Sequence, residues 1–367
     1  MKLPKYIFPG VLFVLICSII NCNAAFCQVI PEPEIPFSPK HYICYRTDTR
    51  LNIDGKLDEL SWQKAPWTET FVDVEGDAKP APKFKTRAKM LWDDDFLYIA
   101  AELEEPDVWA RLTQRDTAIY NDDNFEIFID PDGDTQNYCE FEINALNTFW
   151  DLLMTKPYRL GGFSLSSWDV RGIKTAVGVQ GTINNPADTD QGWTVEIAFP
   201  LKVLMQCAGR KGLPNSGEQW RVDFTRVEWG VESSGGKYKR NDRQTDYWAW
   251  SPTGLIDFHY PEMYGYVQFS ENTVGTNQDS FIQSREEYVK WVLRQIFYKE
   301  KAYYSDHGTY TNDLGELKFV KESIPGCQWP PRVETATDFF EISVLSSDNK
   351  TRVYILSDGK TGRISCK

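Results

Sequence analysis

The chain predicts a mainly β protein: an antiparallel β-sandwich of the immunoglobulin-like or jelly-roll type, followed by a small α+β C-terminal module. Three observations carry that expectation. From His41 to about Ser270, short runs rich in aromatic and β-branched residues alternate with Gly, Pro, Asn and Asp clusters, and amphipathic helices are scarce. Several of these runs alternate apolar and polar residues with a period of two. Beyond Ser270 the period lengthens to that of a helix, and two more β-type runs follow.

Taken in order, the chain opens with Lys2 and Lys5, an apolar stretch from Ile7 to Ile20 broken by Pro9 and Gly10, and the small residues Ala24 and Ala25. This is the layout of an export signal over residues 1–27, and it is short for a membrane span. No later segment approaches about 20 apolar residues. The mature chain is therefore expected to be secreted, periplasmic or held at the cell surface, with no transmembrane domain; lipidation at Cys22 is the alternative anchor. Residues 28–40, which contain PEPEIPFSP, read as a Pro-rich linker.

The sandwich is expected over residues 41–270. Thr86–Trp92 and Phe96–Leu103 flank Asp93-Asp94-Asp95, a hairpin signal. Phe125–Asp130 ends in the turn Pro131-Asp132-Gly133-Asp134, and Tyr138–Ala145 comes next. In Trp193–Phe199 the residues Trp193, Val195, Ile197 and Phe199 share one face, with Thr194 and Glu196 on the other. Trp220–Val227, Tyr247–Trp250 and Tyr264–Phe269 complete the set. Trp62, Trp92, Trp193, Trp220 and Trp250 lie in or against these strands and are assigned to packing, and Arg226 is expected to pair with a carboxylate on its own sheet. The C-terminal module, over residues 280–367, starts with a helix at Ser280–Tyr304 whose stripe is Val289, Val292, Ile296 and Tyr303. A turn at His307-Gly308 ends it, and strands follow at Phe339–Leu345 and Arg352–Leu356.

Composition narrows the function. With 367 residues and 41% hydrophobic content the chain can bury a sizeable core, and its 13 Trp, 18 Tyr and 21 Phe can fill that core or make flat platforms for ligands. A net charge of −13 excludes nucleic acid as a partner, because phosphate binding needs clustered Lys and Arg. The cysteines beyond the leader, Cys44, Cys139, Cys207, Cys327 and Cys366, have no CxxC or CxxCH spacing. Cys327 and Cys366 share the terminal module and are the expected disulfide of an exported protein.

The informative chemistry lies in NDDNFEIFIDPDGD (121–134) and YCEFEINAL (138–146). A period of two places Glu126, Phe128 and Asp130 on one face of the first strand, and Tyr138, Glu140, Glu142 and Asn144 on one face of the second. Paired through a short turn, the strands would present Glu126, Glu140, Glu142 and Asn144 on one surface. Carboxylates and amides satisfy the vicinal hydroxyls of a pyranose, and aromatic rings pack on its C–H face. The bland alternative is a solvated sheet face whose charges keep it soluble. An enzymatic alternative pairs Glu126 with Glu140 or Glu142 as acid and base on a glycosidic bond. The three His are far apart, and no nucleophile elbow, P-loop or dinucleotide fingerprint is present. Asp93-Asp94-Asp95 and the set Asp130, Asp132 and Asp134 offer oxygen ligands for structural calcium, and ordinary turn chemistry accounts for both segments as well. No cofactor is required on this reading.

These segments, with LNIDGKLDELSWQKA (51–65), AKMLWDDDFLYIAAELEEPDVWA (88–110), FEINALNTFWD (141–151), GWTVEIAFP (192–200) and WSPTGLIDFHYPEMYGYVQF (250–269), together resemble carbohydrate-binding module family 9. The resemblance implies a non-catalytic β-sandwich that serves polysaccharide breakdown, holds the terminal sugar of an oligo- or polysaccharide between two aromatic rings, and braces loops with calcium. Carried over by motif, Glu126 is the strand carboxylate, Tyr120 one ring of the clamp, Asn144 the amide of the next strand, and Phe258 or His259 the second ring. Two departures stand out: Tyr120 and Phe258 replace the tryptophans of the usual clamp, and Glu142 replaces a basic residue. Trp109, Arg115, Trp150 and Trp168, expected in loops, would supply substitute rings or donors. The remaining alternative is a scaffold protein in which the C-terminal module binds a protein partner.

Overall fold

The computed structural model describes residues 29–366, so the leader expected over residues 1–27 lies outside the described residues. Strands are found at β1 (His41–Arg46), β2 (Val72–Asp73), β3 (Thr86–Trp92), β4 (Phe96–Glu104), β5 (Asn124–Asp130), β6 (Tyr138–Asn144), β7 (Phe149–Met154), β8 (Ser164–Leu165), β9 (Lys174–Gln180) and β10 (Gly192–Pro200). They continue with β11 (Gln219–Ser234), β12 (Lys237–Ala249) and β13 (Gly265–Thr273), then β14 (Arg332–Thr335), β15 (Phe340–Leu345), β16 (Thr351–Leu356) and β17 (Thr361–Ser365). The helices are α1 (Leu60–Lys64), α2 (Leu201–Cys207) and α3 (Arg285–His307).

Two layers make the sandwich. One runs β8-β7-β6-β5-β11-β13, with β12 paired to the far end of β11, and the other runs β3-β4-β10-β9. β1 crosses between them, pairing in parallel with β13 from His41 to Cys44 and with β3 at Tyr45 and Arg46. A strand that changes sheets makes the corner of a sandwich. The pairings within each layer are antiparallel, as expected. The apolar faces meet: Phe141 of β6 packs edge-on against Phe199 of β10 with ring centroids 5.2 Å apart, and Trp92 of β3 against Phe269 of β13 at 5.4 Å. Trp62, Trp92, Trp193, Trp220 and Trp250 are all fully buried.

The outer face of β10 is also covered. Glu196 points away from the core and accepts the Trp62 indole N–H at 2.9 Å and the backbone N–H groups of Asp54 and Gly55 at 3.0 and 3.1 Å. Burial pushes its pKa up to about 7 despite these donors. Gly55 has φ +83°, and a Cβ there would lie 2.7 Å from the backbone of Gly178, so only glycine lets residues 51–65 lie this close to β9.

The C-terminal module packs α3 on the antiparallel sheet β14-β15-β16-β17. Gly308, in the left-handed region at φ +69°, caps the helix by donating its N–H to Tyr304 O. Its core includes Val289, Val292, Leu293, Ile296 and Phe297 of α3 together with Tyr260 and Met263 from the sandwich side. Of the segment 28–40, expected as a tether, the described residues 29–40 form a packed strap instead. Ile30 is buried in that same core, Ile35 and Phe37 pack against it, and Phe37 stacks on Trp291 at 4.3 Å. The apolar residues between the prolines have a surface to bury against, which composition alone did not reveal.

Polar contacts weld the module to the sandwich. Glu262 accepts a hydrogen bond from Arg159 at 2.6 Å and one from the Tyr298 hydroxyl at 2.6 Å, with Arg294 Nε 3.7 Å away. The turn after β5 is held from the module side: Lys290 donates to Gly133 O at 3.2 Å, Arg294 to Thr135 Oγ1 at 3.1 Å, and Thr361 N–H to Asp134 O at 3.0 Å.

The expected Cys327–Cys366 disulfide is absent: both are free thiols, as are Cys44, Cys139 and Cys207. Cys327 lies beside Ser346 at the end of β15, whereas Cys366 hydrogen-bonds Lys350 beside β16. The β15–β16 hairpin separates them by roughly three strand spacings of ~4.8 Å, beyond the ~7 Å that a disulfide spans.

Two predictions follow from this packing. Phe141→Ala removes a fully buried ring between the layers. It is expected to cost about 3–5 kcal/mol in urea unfolding, and a loss below about 1 kcal/mol would mean that the layers do not share this core. For Glu262, burial alone would raise the pKa, but Arg159 and Arg294 overcome it and hold the group down at about 2, against an ordinary 4.5. A carboxylate whose pKa is lower in the folded state contributes stability above pH 4.5 and loses it as pH falls toward 2. Glu262→Gln is expected to lose about 3–5 kcal/mol at neutral pH, with the gap to wild type closing across that window. A gap independent of pH would overturn the assignment.

Candidate functional site

β5 and β6 bury one face in the inter-layer core and turn the other outward, and the outward face builds the site. Phe125, Ile127 and Ile129 of β5 and Cys139, Phe141 and Ile143 of β6 belong to the core. On the opposite face the register sets Glu126 of β5 directly across from Glu142 of β6 and Thr225 of β11. Glu142 is in turn opposite Trp150 of β7, and Glu140 lies between Phe128 and Leu152. These side chains floor a cavity of about 410 Å3, lined also by Tyr120, Tyr158, Val227, Trp229, Tyr247, Phe258 and His259. It is of the size and aromatic character that small-ligand sites share.

The floor is acidic, and its carboxylates are buried. Glu126 is buried; its two oxygens accept from Asn124 at 2.9 Å and from the Thr225 hydroxyl at 2.7 Å. Glu142 accepts the Tyr120 backbone N–H at 2.8 Å. Glu140 is 6% exposed, and its Oε2 has no hydrogen-bond partner. Burial raises the pKa of all three, and their mutual repulsion raises Glu140 and Glu142 further. The Trp150 indole N–H is likewise buried without an acceptor.

Rings make the walls. The Tyr120 and Trp150 centroids are 6.5 Å apart, and Tyr120 is exposed at the rim. The Trp229 indole N–H donates to Tyr120 O at 2.9 Å, while the Arg240 guanidinium covers the Trp229 ring at 4.1 Å. Phe258 packs edge-on against Tyr247. His259 has Nδ1 2.9 Å from the Tyr138 hydroxyl, and burial together with nearby Arg159 lowers its pKa to about 3, so the ring is neutral. Tyr158 meets it edge-on at 4.7 Å.

The structure thus brings together Tyr120, Glu126, Glu142, Phe258 and His259, with Glu140 and Trp150. Trp150 stands on β7 rather than in a loop. Asn144 does not take part: its amide donates to Leu112 O and Asp122 while its carbonyl accepts from Leu146 and Thr148, so it shapes the β6–β7 turn. Arg115 is spent on Asp151 at 2.7 Å and Asp169 at 2.8 Å, with its guanidinium over Phe149. Trp109 is buried away from the cavity, and Trp168 packs against the inter-layer core. Arg226 is structural, paired with Glu105 at 2.6 Å and Glu228 at 2.7 Å.

Tyr158, Trp229 and Tyr247 are site residues that the sequence reading did not single out. A signal for the hairpin did exist. β-type alternation continues past Val227, and Gly235-Gly236, with φ +61° and +75°, form the two-residue turn that joins β11 to β12. That hairpin carries Trp229 and Tyr247 to the rim.

Asp130, Asp132 and Asp134 place carboxylate oxygens within 4.8 Å of one another. Asp130 is buried and accepts the N–H groups of Gly133 and Thr135, and Asp134 pairs with Lys360 at 3.1 Å. Burial and mutual repulsion raise the pKa of Asp130 and Asp134, a cost that a hard divalent cation would relieve, so the donor set fits such an ion. At the other candidate loop, Asp93 accepts from Asp95, Phe96 and Tyr98, while Arg46 pairs with Asp94, which is turn chemistry.

Comparison with known proteins bears on the family. The chain is 34% identical over 108 residues to endo-1,4-beta-xylanase C of Paenibacillus barcinonensis, covering 29% of this chain and 9% of that one. It is 29% identical over 150 residues to exoglucanase XynX of Acetivibrio thermocellus, covering 40% and 11%. The matches therefore span about a tenth of each relative's length. A solved carbohydrate binding module family 9 from Caldicellulosiruptor kristjanssonii, in complex with cellotriose, aligns with 66% of this chain and all of its own at 16% identity and a TM-score of 0.40. The family described as carbohydrate family 9 binding domain-like matches residues 53–271, and the chain belongs to it.

Proposed function

We propose that this is an exported carbohydrate-binding protein that holds one end of an oligo- or polysaccharide in the cavity over β5, β6 and β7. The observation that carries the reading is the pairing of acidic acceptors with ring walls in one pocket: Glu126, Glu140 and Glu142 below, Tyr120, Trp150, Trp229 and Phe258 around. Carboxylates accept from sugar hydroxyls, and the rings cover the apolar C–H face. Export is supported by the leader pattern over residues 1–27. A part in polysaccharide breakdown is supported by the xylanase and exoglucanase among the relatives. A calcium ion on Asp130, Asp132 and Asp134 would neutralise the turn that docks on the C-terminal module, a structural task away from the sugar.

A glycan panel on the full chain tests the reading. Binding to at least one oligosaccharide class is expected, with Trp229→Ala weakening it about tenfold, the cost of one lost ring contact. Trp229 is half-buried at the rim, so the fold should survive. No binding to any glycan would overturn the proposal, and release of reducing ends abolished by Glu140→Gln would replace it with the hydrolase alternative. The melting temperature is expected to rise with calcium over chelator, and Asp132→Asn should remove the difference; an unchanged midpoint in wild type would remove the ion from the account.

A further inference from the structure

The cavity asks for more than a neutral sugar. Three carboxylates stand on adjacent strands, and none of the lining side chains is Lys or Arg. Two arginines in contact with lining residues are committed to other groups: Arg159, which donates to His259 O, holds Glu262, and Arg240 lies over Trp229 while donating to Asn121. Like charges directly opposite one another, as Glu126 and Glu142 are, destabilise a sheet unless something offsets them.

Each carboxylate stands differently toward a ligand. Glu126 has both oxygens satisfied by Asn124 and Thr225. Glu142 has one oxygen engaged by the Tyr120 backbone. Glu140, more than nine-tenths buried, lines the cavity with Oε2 unpartnered. A buried acceptor left open costs free energy that a bound donor recovers, and a positive donor recovers more than a neutral one. The Trp150 indole N–H, also buried and open, asks for the reverse, a ligand oxygen. A bare metal ion would meet the first demand and not the second.

From these two demands, and resting on the carbohydrate reading above, we propose that the cavity recognises an amino sugar with a free ammonium group, held by Glu140 and Glu142, with a sugar oxygen on Trp150 Nε1. An ammonium brings three N–H donors to an acidic floor, and aromatic faces around it attract the positive charge. Acetylation would replace those donors with one neutral amide N–H and add bulk. The site is thereby selective for the deacetylated form.

Calorimetry on the full chain with three β-1,4-linked trimers of equal length tests this: a glucosamine trimer, its N-acetyl counterpart and cellotriose. The glucosamine trimer is expected to bind about tenfold tighter than either of the others, and Glu140→Gln to erase that advantage, bringing the three trimers to similar affinity. Glu140→Gln keeps the side chain's shape and alters the net charge of −13 by one unit, so a loss of that size reports the local contact and not general attraction. Should the variant fail to fold, the ratio between trimers in wild type decides alone. Cellotriose binding as tightly as the glucosamine trimer would overturn the inference and leave carbohydrate binding standing. A preference for glucosamine that survives in Glu140→Gln would also overturn it, as surface attraction. Silence from all three trimers overturns it too, while the broader glycan panel judges the parent reading.

Discussion

Glu262 is the contact on which the two halves of the molecule converge. Its carboxylate receives Arg159 from the turn after β7 and Tyr298 from α3, with Arg294 close by. A buried ion is costly unless its charge is paired, and here the pairing comes from two distant segments that converge on Oε1, while Oε2 has no partner. Arg159 also donates to His259 O, and Tyr158, its neighbour, packs on the His259 ring. The wall of the cavity is therefore positioned from behind by the C-terminal helix. Tyr260 and Met263, in the loop that carries Phe258 and His259, belong to the α3 core. The module is part of the site's support rather than an appendage to it.

The chemistry of the cavity comes from a second constraint, the two-residue period of β5 and β6. The same strands that supply Phe125, Ile127, Phe141 and Ile143 to the core must present Glu126, Glu140 and Glu142 on the other side. In an open sandwich that face would be wet and the charges cheap. Here β7, the β11–β12 hairpin and the 258–263 loop wall it in, and the three carboxyl groups are left buried. Burial and mutual repulsion raise the pKa of Glu140 and Glu142, and Glu140 Oε2 and the Trp150 indole N–H have no partner, so this face is held at a cost in stability.

Much of this was readable from local pattern. Strict alternation located β5, β6 and β10 and assigned their faces, and the five tryptophans assigned to packing are buried as expected. Misses cluster where the partner is distant in sequence. Asn144 has the residue type of a ligand, but Asp122 and Leu112 claim its amide from another loop. Arg115 is claimed by Asp151 and Asp169 in the same way. Residues 28–40 look like a spacer until α3 supplies Trp291 for Phe37 to stack upon. Shared membership of one module suggested that Cys327 and Cys366 pair, yet sheet order sets them on opposite flanks of a hairpin.

By itself, then, the sequence determined what each strand must do: which face is apolar, which is acidic, and where turns interrupt it. Those are properties of neighbouring residues, set by a side-chain period that the backbone imposes without help. Only the tertiary structure decided which acidic groups are buried, which rings reach them, and which amides are already spent. Those outcomes depend on pairings between residues 99 and 109 apart in the chain, Thr225 with Glu126 and Trp229 with Tyr120, and on burial. A carboxylate carries the same formula on a wet face and in a cavity; its surroundings decide whether it is a solubilising charge or a binding group.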